Sequence, residues 1–446
     1  MDRATLEQDV WKILADQPVT DLHTHCYAPK FGHSGNGEGL LLWGIDELVT
    51  YHYLVAEVYR VVPASGPGSL PYEIFWAMSK NEQADHIWKH LFVEHTPISE
   101  ACRGVLTTLA RLGLDPNEKT LEPYRRWFRA QNVDAYIDKV MELANVDSLT
   151  MTNEVFDDHE RSLWLRDPSI ADDNRFEAVL RIDALLRRWD EAAARLDEWG
   201  YEVRPDFSGR TIDETRRFLN DWLDRMKAVY VATSLPPEFY YPAAESTGGR
   251  TGYSPSSDRV IEDILMPTLA ERGLPWAMMI GSRFRTQVNP ALRDAGDMCG
   301  KADIQAVVNL CRQFPDNKFL VTMLSRENQH ELCVAARKFG NLLVFGCWWF
   351  LNNPSIIEEM TRERLELLGT SFAAQHSDAR ILDQLVYKWD HSRQVLAKVL
   401  TDKYTDLTEA GYRLTNEQIK RDVGLLLRDN FRNFIPALRT KDATSK

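Results

Sequence analysis

The chain has 446 residues, of which 44% are hydrophobic and 27% are charged. This composition is that of a globular protein, long enough for one large domain or two to three smaller ones. The formal net charge of −13 argues against nucleic acid as a partner, because an acidic surface repels phosphate backbones.

The N-terminal segment, residues 1–17, is charged and helix-like and does not have the pattern of a secretory signal. No apolar run approaches the ~20 residues that span a bilayer, so a membrane is not an expected partner. The six cysteines include no Cys-x-x-Cys pair and are interpreted as buried, reduced thiols. These features predict a cytoplasmic protein and leave a homo-oligomer open.

Eight short apolar runs recur along the chain and are predicted to be strands. They are residues 18–25, 148–152, 178–183, 228–235, 275–281, 318–324, 342–349 and 372–378. Most are continuous rather than alternating, which is typical of parallel strands buried on both faces. Helical segments such as 212–226 and 304–314 lie between them. Eight strands alternating with helices predict an α/β fold, a (β/α)8 TIM barrel, with an open doubly wound sheet as the alternative.

The first two runs are about 120 residues apart, far more than one crossover helix needs. The intervening sequence has helical patterns over 45–62 and 72–92. We therefore predict a large helical insertion after strand 1: residues 26–146 form a helical subdomain, and residues 1–25 and 147–446 form the barrel. Surface loops are expected at 63–71 and 246–257, a further helical region at 381–427, and a frayed tail at 440–446.

In such barrels the chemistry lies at the C-terminal ends of the strands. The first run ends in His23-x-His25, and residues i and i+2 of a strand point the same way, roughly 6–7 Å apart. Two imidazoles on one side can bind one transition-metal ion. Asp378 ends the eighth run, which neighbours the first in a closed barrel, so it could complete the metal site or take a proton. Its alternative role is a helix N-cap.

Two arginines are predicted on the same rim. Arg380 follows Asp378 by two residues, and Arg181 ends the third run. A guanidinium matches the geometry of a carboxylate, so this pair favours an anionic substrate. The alternative for each is a structural ion pair, with Asp183 available near Arg181.

The helical pattern over 45–62 places His52 on its apolar stripe and Tyr53 on its polar face. His52 could thus be a hydrogen-bonded core histidine, and Tyr53 could cover surface or project a phenol into a cleft. Trp348 and Trp349 end the seventh run, and we expect one to pack in the barrel and the other to lie on the rim.

These rim residues resemble the amidohydrolase superfamily and, within it, a divergent bacterial branch of the uronate isomerase family. The similarity covers nearly the whole chain. Its segments are residues 18–25, 50–54, 178–183, 325–328, 345–350 and 375–380.

The resemblance implies one divalent metal ion, with zinc as the first candidate, bound by His23, His25 and Asp378. It implies Tyr53 as a catalytic phenol beside Asp378. It also implies substrate contacts from Arg380, Arg181 and His52, and Trp348 is the candidate aromatic wall. The expected substrate is a small-molecule uronate. The implied reaction takes D-glucuronate to D-fructuronate, D-galacturonate to D-tagaturonate, or both, by proton transfer through a cis-enediol, with hydride transfer as the alternative.

The sequence departs from its relatives at two strands. Hydrolases of the superfamily carry histidines after the fifth and sixth strands, where this chain has Gly281 and Ser325-Arg326. A second metal ion is therefore not expected. More familiar uronate isomerases also carry a histidine in the fifth-strand region, so whether catalysis requires the metal is left open. A mononuclear metal-dependent hydrolase, acting on a lactone or amide, is the alternative function, and a barrel used only for binding is a third.

Overall fold

The computed structural model describes residues 2–34, 39–243, 255–283 and 288–435. Seven parallel strands form one sheet in the order β1-β2-β3-β4-β5-β8-β9, and β6 and β7 form a short antiparallel pair beside it. The strands are β1 Val19–Thr24, β2 Val146–Glu154, β3 Phe176–Arg181, β4 Val231–Leu235, β5 Trp276–Ile280, β6 Ser282–Arg283, β7 Met298–Cys299, β8 Phe319–Met323 and β9 Leu342–Val344.

The predicted eighth strand closes the sheet, although it forms only an isolated bridge rather than a regular strand. On one side, the Ala373 amide donates to the Val344 carbonyl (3.0 Å). On the other, the His25 amide donates to the Ala379 carbonyl (2.7 Å) and the Asp378 amide to the His23 carbonyl (3.1 Å). The segment therefore joins β9 to β1, and the predicted barrel is confirmed.

The strands are buried on both faces, as their continuous apolar sequences predict. Ala277 and Met279 of β5 belong to a small cluster inside the barrel, whereas Trp276, Met278 and Ile280 belong to a large cluster shared with the helices. Successive side chains of a strand point to opposite faces, so alternate residues of β5 belong to different clusters.

The helices surround the barrel and fill the long connection after β1. They are α1 Arg3–Asp16, α2 Ile45–Val49, α3 His52–Val61, α4 Tyr72–Ala77, α5 Lys80–Trp88, α6 Glu100–Arg111, α7 Glu122–Arg129, α8 Val133–Ala144, α9 Asp158–Arg166, α10 Asp183–Arg187, α11 Trp189–Glu198, α12 Thr211–Met226, α13 Pro255–Arg259, α14 Met266–Arg272, α15 Gln305–Gln313, α16 Gln329–Ala336, α17 Pro354–Leu368, α18 Gln384–Glu409, α19 Asn416–Gly424 and α20 Asn430–Phe434.

Both segments of the connection with a predicted helical pattern are helical, but each is interrupted, so the single helix predicted over 45–62 was wrong. The segment 45–62 divides into α2 and α3, with Tyr51 extended between them at φ −61° and ψ 143°. The segment 72–92 divides at Ser79, whose side chain caps α5 in a capping box with Glu82. In contrast, α12 and α15 lie within a residue of their predicted limits.

The helices of the connection share the large hydrophobic cluster with the outside of the barrel. The longest helix, α18, packs against α6 and α8 of the connection and against α1 and α17 of the barrel. The subdomain limits 26–146 stay a prediction.

The seventh strand is shorter than predicted. It ends at Val344, and Gly346 has a φ of 59°, where a Cβ would lie 1.7 Å from the Nδ1 atom of His376. Only glycine fits this close approach, so the chain leaves the sheet here and both tryptophans lie in the following turn.

Among the described residues, no helix is both long and apolar enough to cross a membrane. The predicted tail at 440–446 and part of the predicted loop at 246–257 lie outside the described residues.

Candidate active site

The ends of β1 and of the eighth segment bring His23, His25 and Asp378 together. One carboxylate oxygen, Asp378 Oδ1, lies 3.3 Å from His23 Nε2 and 3.5 Å from His25 Nε2. The three potential ligand atoms lie within 4.8 Å of one another. Among the described residues, no other group of three histidines, cysteines or carboxylates converges in this way.

The protonation of His23 fits a metal ligand. Its Nδ1 atom lies 3.3 Å from Thr152 Oγ1, and that hydroxyl donates its own proton to the Thr24 carbonyl (2.8 Å). The hydroxyl can therefore only accept from Nδ1–H, which leaves the lone pair of Nε2 directed towards Asp378. This Nε2 atom is buried and has no hydrogen-bond partner among the described residues. Two imidazoles and a carboxylate are a donor set that suits one divalent ion.

The backbone of Asp378 is unusual and firmly held. Its φ of 51° lies in the left-handed region, which costs of order 1–3 kcal/mol for such a residue. The buried Lys388 donates to the carbonyls of Ser377 (2.6 Å) and Asp378 (3.4 Å). The buried Asp21 accepts from the Ser377 amide (3.0 Å) and from the Trp389 indole (2.8 Å). These contacts fix the turn that presents the carboxylate.

The charge of Asp378 is set by its neighbours. Burial alone would raise the pKa of this carboxyl, but the adjacent His23 and His25 side chains outweigh burial and hold the pKa well below its usual range. Burial lowers the pKa of His25 to about 4 in spite of Asp378. At neutral pH the cluster is therefore an ionised carboxylate beside a neutral His25.

A cavity of about 370 Å³ opens in front of this cluster. Six predicted site residues line it, namely His25, His52, Arg181, Trp348, Asp378 and Arg380. The other two, His23 and Tyr53, do not line the cavity, and His23 is 1% exposed. A second cavity of about 540 Å³ adjoins the first and shares Tyr27, Leu40, Arg181 and Arg380 with it.

The interruption between α2 and α3 decides how the tyrosines are placed. Tyr51 lines the cavity, whereas the Tyr53 hydroxyl is buried and has no hydrogen-bond partner among the described residues. Tyr53 packs against the interior cluster of the barrel, so its predicted place on a polar helix face was wrong. Burial, with the nearby Tyr51 and Asp378, raises the pKa of Tyr53 well above its ordinary value. Its phenol therefore stays protonated at neutral pH.

The two arginines differ in how they are held. Arg181 donates from Nε (2.8 Å) and Nη2 (3.0 Å) to the two oxygens of Asp183, and Glu154 lies 3.8 Å away. The alternative predicted for Arg181, a structural ion pair with Asp183, is therefore present. Arg380 is half-exposed, and its Nη1 atom lies 3.4 Å from Asp294 Oδ2.

Trp348 and Trp349 both line the cavity and both are buried, so the prediction that only one packs inside was wrong. The Trp349 indole nitrogen lies 3.0 Å from His52 Nε2.

Sequence reasoning missed several residues of the site. Tyr51 was overlooked because a continuous helix would point it elsewhere. Lys388 lies in a helix whose amphipathic pattern does not single it out. Asp294 and Asp297 reach the cavity from the connection between β5 and α15, for which the sequence carries no periodic signal.

Comparisons with known proteins found similar solved structures. No family model matches the chain, and no curated protein matches it. The chain is similar to the crystal structure of a uronate isomerase from Bacillus halodurans C-125, with 50% sequence identity, a TM-score of 0.90 and 99% of each chain covered.

Two more distant crystal structures share the fold. A uronate isomerase from Thermotoga maritima is 16% identical, with a TM-score of 0.73 and 97% of each chain covered. A glucuronate isomerase from Caulobacter crescentus is 14% identical, with a TM-score of 0.71, covering 98% of this chain and 94% of the other.

Proposed function

The chain belongs to the uronate isomerase family, and on that premise we propose that it converts D-glucuronate to D-fructuronate, D-galacturonate to D-tagaturonate, or both, in the cavity in front of Asp378. It is an aldose–ketose isomerase. The observation that carries the proposal is the 50% identity over 99% of both chains, together with a rim that combines a buried carboxylate and two arginines.

The reaction moves one proton from C2 to C1 and another between O1 and O2. The C2 proton is weakly acidic, so negative charge that develops on the carbonyl oxygen must be stabilised. A carbon base and an oxygen acid are therefore needed on one face of a planar cis-enediol. No atom is gained or lost overall.

Asp378 is the proposed carbon base. Its lowered pKa keeps it ionised, and its fixed turn holds it at the cavity wall. It takes the proton from C2 as the C1–C2 double bond forms, exchanges it with solvent, and delivers a proton to C1 as the C2 carbonyl forms. Hydride transfer from C2 to C1 is the alternative route.

Tyr53 is the proposed partner in the oxygen proton transfers. A phenol that stays protonated can donate to O1 and recover the proton leaving O2, which leaves the tyrosine unchanged at the end of the cycle. This role requires the substrate to reach a hydroxyl that lies behind the cavity wall.

The proposed cofactor is one divalent ion, with zinc as first candidate because it favours two imidazoles and a carboxylate. His23, His25 and Asp378 would hold it, and when bound it supplies positive charge near the reacting oxygens. The orphaned, buried Nε2 atom of His23 supports this assignment.

Arg380 and Arg181 are the proposed partners of the substrate carboxylate, His52 a further polar contact, and Trp348 an aromatic wall for the sugar chain. Arg380 has the more accessible guanidinium, since the fork of Arg181 is already engaged by Asp183. The alternative of a mononuclear hydrolase has little support, because β5 and β8 lead into Gly281 and Ser325 rather than histidines. The six unpaired cysteines agree with a proposed cytoplasmic location.

The test is direct conversion. The purified protein is incubated with D-glucuronate and with D-galacturonate, with and without added zinc, and the ketouronates are measured. Production of at least one is expected, and no conversion under any of these conditions would refute the proposal. Solvent deuterium at C1 of the product is expected for proton transfer, and complete retention of the C2 hydrogen would instead support hydride transfer.

The metal is tested separately by elemental analysis. We expect one ion per chain, and replacing both His23 and His25 by Asn should lower the metal content without unfolding the barrel, as judged by circular dichroism. Two tightly bound ions per chain would contradict the proposed ligand set.

A further inference from the structure

The contact between Trp349 and His52 constrains the histidine proton. The Trp349 Nε1 atom lies 3.0 Å from His52 Nε2, with the two rings at 77° to each other. An indole N–H can donate a hydrogen bond but cannot accept one. His52 Nε2 must therefore be the acceptor, which places the single ring proton on Nδ1 and makes the imidazole neutral.

The other nitrogen of His52 is left for a ligand. No described residue forms a hydrogen bond with His52 Nδ1, and His52 lines the cavity in front of Asp378. The ring is held between its neighbours, with centroids 4.1 Å from Tyr51 and 4.4 Å from Tyr53. Nδ1–H is thus a fixed donor on a residue that lines the cavity.

The electrostatics of the site agree with a neutral ring. Burial, with the charge of Arg380, lowers the pKa of His52 to about 3. An imidazolium would bring a second cation beside Arg380 and would also lose the Trp349 hydrogen bond, because both of its nitrogens would carry protons.

Trp349 adopts a strained backbone where this contact is made. Its φ is 45°, in the left-handed region that bulky side chains seldom adopt. Its ring stacks on Phe350 at 4.6 Å and 15° between planes, and its carbonyl accepts from the Asn352 amide (2.9 Å). These contacts hold the turn that aims the indole N–H at His52.

We propose that Trp349 is a positioning residue that fixes His52 as its neutral Nδ1–H tautomer, so that His52 presents a hydrogen-bond donor to an oxygen of the uronate. The role towards substrate rests on the proposed function, whereas the tautomer does not. The opposite tautomer would present a lone pair, which the carbonyl and carboxylate oxygens of a uronate cannot satisfy because they only accept hydrogen bonds. Every oxygen of an open-chain uronate can accept a hydrogen bond, so a neutral donor suits this class of ligand.

The tautomer is tested in the intact protein by NMR. Protein with ¹⁵N-labelled histidine gives separate signals for protonated and unprotonated ring nitrogens in long-range ¹H–¹⁵N spectra, and His52→Gln identifies the His52 signals by their loss. We expect a protonated Nδ1 and an unprotonated Nε2 in the wild type at neutral pH. The opposite tautomer or an imidazolium would overturn the proposal whatever the activity.

The role of Trp349 is tested with Trp349→Phe, which keeps an aromatic ring and removes the donor. We expect His52 to populate both tautomers and KM for the uronate to rise about 2- to 10-fold with kcat little changed, which corresponds to the net worth of one hydrogen bond. Trp348→Phe is the matched control, because Trp348 donates nothing to His52, and it should leave the tautomer as in the wild type. An unchanged tautomer in Trp349→Phe would overturn the positioning role.

If neither uronate is isomerised, the proposed function fails, and the spectra of the wild type and Trp349→Phe still decide the tautomer. If uronates are isomerised but Trp349→Phe changes the tautomer and not KM, the tautomer proposal stands and the donor role towards substrate is refuted.

Discussion

Asp378 and Arg380 are two residues apart, yet the structure holds them in opposite ways. Asp378 is 5% exposed, and its turn is bound by the buried Lys388 and Asp21. Arg380 has half of its side chain exposed, and among the described residues its one ion pair is to Asp294 at 3.4 Å. A base that removes a carbon-bound proton must be placed within a fraction of an ångström, whereas attraction between charges tolerates movement. The site therefore combines a rigid end for chemistry with an adaptable end for recognition.

The largest expected loss of activity comes from replacing Asp378, at the rigid end of the site. Asp378→Asn removes the proposed carbon base while keeping its shape, and kcat should fall by at least about 10⁴-fold, the upper range for general base catalysis. Steady-state kinetics measure this, and circular dichroism shows whether the fold is kept. Glu359→Gln, an exposed carboxylate paired with Arg326 on the outer surface, is the control and should behave as the wild type. Activity of Asp378→Asn near that of the wild type would show that another group removes the proton.

The next effect separates the two tyrosines beside His52. Tyr53→Phe should lower kcat by roughly 10²–10⁴, the usual worth of general acid–base help, with little change in KM. Its stability should stay the same or rise, because the hydroxyl removed is buried and unpaired.

Tyr51→Phe is the matched variant, since Tyr51 lines the cavity and Tyr53 does not. We expect it to change kcat only a few-fold. If instead Tyr51→Phe loses the activity and Tyr53→Phe keeps it, the phenol that transfers the proton is Tyr51.

The tyrosines also show what the sequence could predict. The first six predicted strands lie within three residues of their observed limits, because burial on both faces produces continuous apolar runs. His23, His25 and Asp378 meet as predicted, because adjacent parallel strands end at one rim. The helix over 45–62 was not predicted correctly, because its apolar spacing continues through the break at Tyr51. That break depends on tertiary packing, which a local pattern does not contain.

The residues that hold the active site in place could not be predicted from the sequence either. Lys388 and Asp21 are charged residues buried among apolar ones, and only the folded chain shows that their partners are the turn at Ser377 and the Trp389 indole. Asp294 reaches Arg380 from a connection without regular periodicity.

A moderate effect is expected at the adaptable end. Arg380→Met should raise KM for uronates by about 30- to 700-fold, since a lost charge-assisted contact with a carboxylate costs about 2–4 kcal/mol. The fold should be unaffected, because the side chain is half-exposed. Neutral aldoses such as glucose should be poor substrates of the wild type, and equal turnover of glucose and glucuronate would refute the role of Arg380 in binding the carboxylate.

The contrast between the rigid and the adaptable end is tested by removing a contact that holds the Asp378 turn in place. Lys388→Met removes the donor to the carbonyls of Ser377 and Asp378, and kcat should fall about 10- to 100-fold with KM nearly constant, because a misplaced base slows the reaction without weakening recognition. Lys398→Met is the matched control on the same helix, where the exposed lysine pairs with Glu358, and it should have no effect. A Lys388→Met enzyme with wild-type kcat and lower thermal stability would limit Lys388 to a structural role.

The smallest effect concerns Asp294, the carboxylate that Arg380 contacts in this structure. An exposed ion pair at 3.4 Å is worth about 0–1 kcal/mol, so Asp294→Asn should lower KM for uronates by no more than about fivefold, because the substrate no longer competes with an internal carboxylate. The effect should shrink at high salt, since both charges are accessible to counter-ions. A double-mutant cycle gives the decisive comparison: in the Arg380→Met background, Asp294→Asn should leave KM unchanged if Asp294 acts only through Arg380. A higher KM in Asp294→Asn alone would instead mean that Asp294 binds the substrate itself, and the end of the cavity that carries Arg380 would then recognise hydroxyl groups as well as the carboxylate.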